Sequence, residues 1–146
     1  MNGALIIMGY IYNPDGFDWM NFKVEKNNPY TFHHIVERRR GGDKSINNGA
    51  ILTNDAHKLL NILDIFFPDA YEDLQQIFIR INKSNEPPTY ETMKEVDNIL
   101  YKVFFTEEYE FAEGKDSPKY YRVMQRLLEY RKEYLNSRQK LTKCLE

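Results

Sequence analysis

The chain has 146 residues, the length of about one domain. It is 42% hydrophobic and 14% aromatic, which suffices for a packed core and excludes a disordered chain. The formal net charge of −2 excludes strong overall attraction to a polyanion, although two mildly basic blocks, residues 31–58 and 117–146, flank an acidic middle and would direct where an anionic ligand docks.

Cysteine content and the N-terminal sequence indicate the compartment. The single cysteine, Cys144, excludes a disulfide within the chain and a cysteine zinc cluster, and fits a reducing compartment. The apolar start, MNGALIIMGYIY, has no basic residue before Lys23 and is too short for a membrane span. We therefore expect a cytoplasmic protein that does not enter membranes and forms a single domain over residues 1–146.

The first half of the chain predicts two strands and a helix. Ala4 to Tyr12 predicts a strand or an ordered N-terminal arm, whereas residues 17–26 fit neither a helical nor a strand period. The central unit reads as strand, long loop, strand and helix. Its parts are a strand at Tyr30 to Val36, a Gly41-Gly42-Asp43 turn, a strand at Ala50 to Thr53, and a helix from about Asp55 to Phe67 that Thr53 or Asn54 can cap and Pro68 stops.

The second half predicts helices. Leu74, Ile77, Phe78 and Ile81 fall on one face of a helix over Tyr71 to Lys83. A second helical pattern runs from Thr89 to Phe105, and Thr106 to Asp116 reads as an acidic loop. Ser117-Pro118 is a good cap and first-turn pair for a long last helix running toward Leu145.

The stretch that carries candidate chemistry is TFHHIVERRRGGDKSINNGA, Thr31 to Ala50. It holds His33 and His34, two of the three histidines, and the third, His57, lies in the predicted helix. The unit resembles the HNH nuclease family, whose fold is a ββα-metal core. The resemblance covers about residues 30–61 and rests on these matches: HHI at His33–Ile35, the glycine pair Gly41-Gly42, Asn48, AIL at Ala50–Leu52 and AHKLL at Ala56–Leu60.

Spacing makes this resemblance more specific than a histidine pair alone. Asn48 lies 14 positions after His34, and His57 lies 23 positions after it, as in that family. The resemblance implies that His34 is the general base, that His33 and His57 are metal ligands, and that Asn48 braces the loop and orients the base. The implied reaction is hydrolysis of a phosphodiester bond, usually in DNA, with one divalent ion.

The residue types suit these roles. Imidazole titrates near pH ~6.5, so it can act as a neutral base at cellular pH. Adjacent strand residues point to opposite faces, so His33 and His34 can serve one site only if the strand bends or ends there, or if one of them acts through a water. At about 100° per residue, His57, Asn61 and Asp64 share a narrow face of the helix, which makes Asn61 and Asp64 candidates to support the metal ligands from outside.

Departures from the family pattern bear on the metal. Thr53 and Ala56 stand where many members have one CxxC pair of a structural zinc, and Asn61 stands where some have a further histidine. We therefore expect no structural zinc. For the catalytic ion we expect Mg²⁺ or Mn²⁺ first, with Zn²⁺ or Ni²⁺ as alternatives.

Basic residues follow the histidines. Arg38, Arg39 and Arg40 carry forked guanidinium groups suited to phosphate oxygens, and Lys44 is a weaker candidate for the same contact. A solvated loop is the alternative interpretation.

We therefore expect an α+β fold with a ββα-metal core at about residues 29–68, an N-terminal arm and a helical C-terminal extension at about residues 69–146. The expected function is a metal-dependent HNH endonuclease acting on double-stranded DNA. Two alternatives stay open: a DNA-binding or protein-interaction module that keeps the frame without cutting, and an RNA-directed or toxin-like nuclease that uses the same site.

Overall fold

A computed structural model of the protein describes residues 16–35, 49–84, 86, 88–106 and 108–145, with the backbone alone for His34 and residues 137–145. This part of the chain is α+β, as predicted, with one two-stranded sheet and four helices. In chain order they are β1 (Tyr30–His34), β2 (Gly49–Thr53), α1 (Asn54–Phe66), α2 (Pro68–Ser84), α3 (Tyr90–Phe105) and α4 (Pro118–Leu145).

The two strands pair antiparallel, which sets the end of β1 against the start of β2. His33 faces Ala50 and His34 faces Gly49 across the pair. A Cβ atom added to Gly49 would lie 2.0 Å from Cε2 of Phe32, so any other residue there would displace that ring. Gly49 therefore allows β2 to begin directly beside the end of the histidine strand.

Helix α1 begins at once after β2, since the last strand residue is also its cap. The Thr53 hydroxyl accepts a hydrogen bond from the Ala56 N–H at 3.2 Å, so Thr53 is the cap of the two candidates, Thr53 and Asn54, that the sequence left open. The helix ends at Phe66, one residue earlier than predicted, and Pro68 is the first residue of α2. Proline suits a first helical position because its missing N–H would have no partner there, so α2 starts before the predicted Tyr71.

The core lies between the sheet and helices α1 and α2, and it continues to α3 and α4, which pack against those helices. Helix α2 buries the predicted apolar face together with two polar side chains, Gln75 and Asn82. Residues 17–26 contribute three fully buried side chains, Trp19, Met20 and Phe22. Their irregular pattern arises because the segment folds as turns and isolated bridges rather than as a helix or a strand.

Two predicted segments lie outside the described residues: the arm at Ala4 to Tyr12 and the loop that carries Arg38, Arg39, Arg40, Lys44 and Asn48. The last helix begins at Pro118 after Ser117, as the sequence predicts. None of the helices in the described part of the chain combines the length and apolar character that crossing a bilayer requires.

Candidate metal centre

The structure brings together two of the three histidines. His33 comes from β1 and is 6% exposed, and His57 comes from the first turn of α1 and is half-buried. Their ring centroids lie 5.3 Å apart with the rings at 81° to each other. The pairing follows from the short β2–α1 connection, which brings the first turn of α1 back over the neighbouring strand.

This separation fits two imidazoles on one ion. Metal–nitrogen distances of about 2.0–2.1 Å and a tetrahedral angle place two ring centroids about 5 Å apart. Imidazole nitrogen is a donor for Zn²⁺, Ni²⁺, Cu²⁺ or Fe²⁺, whereas Mg²⁺ prefers oxygen. The separation is therefore compatible with His33 and His57 as a ligand pair. Imidazole donors favour Zn²⁺ or Ni²⁺, the predicted alternatives, over the Mg²⁺ or Mn²⁺ expected first from the sequence.

Each ring has a polar partner that fixes its orientation. His33 Nε2 lies 3.0 Å from Oε1 of the buried Gln75, and His57 Nδ1 lies 3.1 Å from the hydroxyl oxygen of Thr31. If one ion were bound by both rings, it would use the other nitrogen of each, Nδ1 of His33 and Nε2 of His57. Partners on the far side of ligand rings are typical of metal centres, where they hold the imidazole in the binding orientation.

Helix α2 holds both ends of the loop that joins the strands. Gln75 Nε2 donates to the carbonyl oxygen of Ile35, directly after β1, at 2.5 Å. Asn82 Nδ2 donates to the carbonyl oxygen of Gly49, the first residue of β2, at 2.5 Å. These two amides are seven residues apart, so they lie on one face of α2 and fix the two points where the loop enters and leaves the sheet.

Gln75 and Asn82 are site residues that the sequence interpretation missed. The signal was present, because both stand on the face otherwise occupied by Leu74, Ile77, Phe78 and Ile81. A polar side chain on a buried face needs a hydrogen-bond partner, and an amide can serve backbone and ring at once. The sequence alone does not show that these partners are the histidine strand and its neighbour.

The remaining predicted residues are placed only in part. His34 is the last residue of β1, which meets the condition that the strand should end there. Asn48, Arg38, Arg39, Arg40 and Lys44 lie outside the described residues, so their roles stay predictions. Along α1, Asn61 is exposed and Asp64 is half-buried, and their support of the metal ligands also stays a prediction.

The described side chains do not by themselves complete a metal site. Among them, His, Cys, Asp and Glu residues form no group of three or more that could hold an ion. That search includes neither the side chain of His34 nor residues 36–48. An ion on His33 and His57 would thus take its other ligands from water, substrate or those residues, an arrangement that leaves coordination positions open.

A second polar group lies at the start of α1, where residues 16–28 and α4 meet. Asp18 is 1% exposed, and its carboxylate accepts the N–H groups of Met20, Phe22 and Thr53 at 2.8, 2.9 and 2.7 Å. Burial raises the pKa of Asp18 to about 6, against these backbone bonds, which lower it. This carboxylate ties residues 18–22 to the end of β2 and makes Asp18 a structural residue.

Glu133 brings a further carboxyl group to this region. Asn28 joins it to α1, because its Nδ2 donates to Glu133 Oε1 at 3.4 Å and its Oδ1 accepts from the Asp55 N–H at 2.9 Å. Burial raises the pKa of Glu133 to about 8, helped by its hydrogen bond with Asp55 and by the charges of Asp55, Glu25 and Asp18. We call Asp18, Glu25, Asp55 and Glu133 the carboxyl cluster.

A cavity of about 360 Å³ lies elsewhere, between the end of α3, the loop after it and the start of α4. Its lining includes the aromatic side chains of Phe67, Phe111 and Tyr120 and several charged side chains. Two of the charged residues, Lys102 and Glu108, form an ion pair at 3.7 Å. None of its lining residues belongs to the histidine pair or its partners, so this cavity is separate from the candidate metal centre.

Comparison with known proteins adds no information about the fold or the candidate site. No family model, no curated protein and no solved structure matches the chain.

Proposed function

We propose that the protein is a metal-dependent endonuclease of the HNH type that hydrolyses phosphodiester bonds in DNA. The observation that carries the proposal is the approach of His33 and His57 to 5.3 Å between ring centroids within a strand–strand–helix unit. The resemblance to the HNH family implies metal-ligand roles for the same two residues, and their proximity supports the proposal.

In this proposal each residue has a defined task. His34 takes a proton from the attacking water, Asn48 keeps that base oriented, and the backbone of DNA is held by Arg38, Arg39, Arg40 and Lys44. A divalent ion on His33 and His57 would polarise the phosphate and stabilise charge on the leaving oxygen. Gln75 and Asn82 keep the ends of the intervening loop in place, so that base and ligands keep their relative positions.

A plasmid-nicking assay tests the proposal. Supercoiled DNA is incubated with the protein and Mg²⁺, Mn²⁺, Zn²⁺ or Ni²⁺, and with a chelator alone. We expect metal-dependent relaxation that disappears in His34→Ala, while circular dichroism and DNA binding stay unchanged. The variant is purified in the same way as the wild type, so it also reports any contaminating nuclease. Equal cleavage by His34→Ala would contradict the mechanism.

A non-cleaving DNA-binding or interaction module is the second candidate. It stays open because the sequence lacks the cysteines of the structural zinc and offers few metal ligands. The same assay separates the two, because a binding module would shift DNA in a gel and leave it uncut with every metal. Single-stranded RNA in a parallel reaction tests the RNA-directed alternative.

A further inference from the structure

The hydrogen bonds around His33 define which ring nitrogen carries its hydrogen. Only the –NH₂ end of an amide can donate, and Gln75 donates to the Ile35 carbonyl. Its Oε1 therefore faces His33 Nε2, 3.0 Å away, and an amide oxygen can only accept. Nε2 of His33 must carry a hydrogen, so the lone pair of the neutral ring lies on Nδ1.

The same reasoning gives the opposite result for His57. The Thr31 hydroxyl has one hydrogen, which it donates to the carbonyl oxygen of Leu52 at 3.0 Å. Toward His57 Nδ1, at 3.1 Å, the hydroxyl oxygen is therefore the acceptor. Nδ1 of His57 carries the hydrogen, and the lone pair of the neutral ring lies on Nε2.

We propose that Gln75 and Thr31 are positioning residues that hold the two histidines in opposite tautomers, so that one ion is bound by Nδ1 of His33 and Nε2 of His57. The use of these atoms by an ion rests on the proposed function, whereas the tautomers are inferred from the hydrogen bonds of Gln75 and Thr31. Gln75 and Thr31 are each bonded to the backbone as well, to Ile35 and Leu52. Each ring is thus oriented before an ion arrives, which lowers the ordering cost of binding.

Long-range ¹H–¹⁵N correlation spectra of ¹⁵N-histidine-labelled protein test the tautomers directly. Chelator-treated protein is measured at a pH where neutral rings dominate, and His34→Ala identifies the third signal. We expect His33 to show the Nε2–H pattern and His57 the Nδ1–H pattern. The reverse pattern, or rapid averaging of both forms in either ring, overturns the proposal.

Gln75→Leu and a matched control test whether the amide imposes the tautomer. Gln76→Leu makes the same change at the next residue, where the exposed amide bonds Glu72 rather than a histidine. We expect Gln75→Leu to let His33 sample both tautomers and to weaken Zn²⁺ binding by about 10- to 100-fold, measured by competition with a chromophoric chelator. Gln76→Leu should change neither. A folded Gln75→Leu with wild-type tautomer and Zn²⁺ affinity contradicts the proposal.

Thr31 supplies a second pair of variants. Thr31→Val removes the hydroxyl with little change in shape and should release the His57 tautomer, whereas Thr31→Ser keeps the hydroxyl and should restore it. If Gln75→Leu does not fold, the wild-type spectra and this pair still decide the question. Expected tautomers in a protein that never cuts nucleic acid would refute the proposed function alone. Reversed tautomers with intact cleavage would refute this inference alone.

Discussion

Two polar clusters lie at the first turn of α1, and they differ in how their members are partnered. The histidine cluster, consisting of Thr31, His33, His57 and Gln75, joins neutral donors and acceptors that complement one another. The carboxyl cluster places like charges together, and burial raises the pKa values of two of its members. The amide of Gln75 and the hydroxyl of Thr31 orient the histidines without changing charge themselves, whereas neighbouring carboxyl groups make a contact depend on their own protonation.

The different partners of the two clusters predict different roles, one in stability and one in metal binding. We expect changes in the carboxyl cluster to alter the free energy of unfolding and its pH dependence, because its bonds tie residues 16–28, α1 and α4 together. We expect changes at His57 or its partner to alter metal binding. The following predictions separate these effects, beginning with the largest.

Asp18→Ala is expected to cause the largest loss of stability. The change leaves three backbone N–H groups without their acceptor, and each such buried group costs about 1–3 kcal/mol. We expect the free energy of unfolding, measured in urea, to fall by roughly 3 kcal/mol or more. Asp116→Ala, at an exposed carboxylate, is the control and should change it by less than about 0.5 kcal/mol. Equal stability of the two variants would show that the Asp18 bonds do not hold the fold.

His57→Ala is expected to have a small effect on stability and a large effect on metal binding. The side chain is half-buried, so its loss should cost about 1 kcal/mol or less. Removal of this proposed metal ligand should weaken Zn²⁺ binding at least about 100-fold. Isothermal titration calorimetry measures the binding. Lys58→Ala, at the next and exposed residue of α1, should bind Zn²⁺ as the wild type does. If His57→Ala kept wild-type Zn²⁺ affinity, His57 would not be a ligand.

The raised pKa of Glu133 predicts how the free energy of unfolding depends on pH. Its pKa rises from 4.5 to about 8 on folding, so the folded protein holds this proton more tightly. The associated stability is fully present below about pH 4.5 and is lost as the pH rises through about 8. Asp18 acts with the same sign between 3.8 and about 6, so the window from pH 6 to 8 separates the effect of Glu133 from that of Asp18.

Glu133→Gln tests this dependence, because glutamine resembles the protonated carboxyl. Urea unfolding of the wild type should show a free energy that falls between pH 6 and 8, with a slope of at most about one proton per molecule. The variant should have a flatter slope over the same window. Glu129→Gln, at an exposed position of the same helix, should keep the wild-type slope. A wild-type slope in Glu133→Gln would assign the pH dependence to other groups.

The sequence was sufficient to predict the elements that local signals define. The sequence predicted a cap at Thr53 or Asn54, the start of α4 at Ser117-Pro118 and the apolar faces of α2 and α3. Strand β1 and helix α1 were predicted to within two residues at each end. Such signals act over three or four neighbouring residues, so a single chain segment carries them.

Polar contacts between residues far apart in the chain could not be predicted from the sequence. Asp18 accepts from Thr53, 35 residues away, and Gln75 meets His33 across 42 residues. Aspartate is common in exposed turns and glutamine on exposed helix faces, so neither residue type distinguishes a buried partner from a solvated one. The Pro68 start of α2 was missed for a different reason, because proline both ends one helix and can begin the next.

Asp64→Asn is the smallest and most discriminating test of the histidine cluster. Asp64 lies seven residues after His57, about 10.5 Å along α1, and helical side chains lean toward the N-terminus, which directs His57 away from it. A direct bond to the ligand is therefore out of reach, and only a screened charge effect or a water bridge remains. We expect Asp64→Asn to bind Zn²⁺ about twofold to threefold more weakly than the wild type at low salt, and this difference to disappear at high salt, where the charge of Asp64 is screened. Asn61→Ala, one turn closer but uncharged, should show no salt-dependent change. An Asp64→Asn protein with unchanged affinity at every salt concentration would restrict the metal centre to the histidines and their partners Thr31 and Gln75.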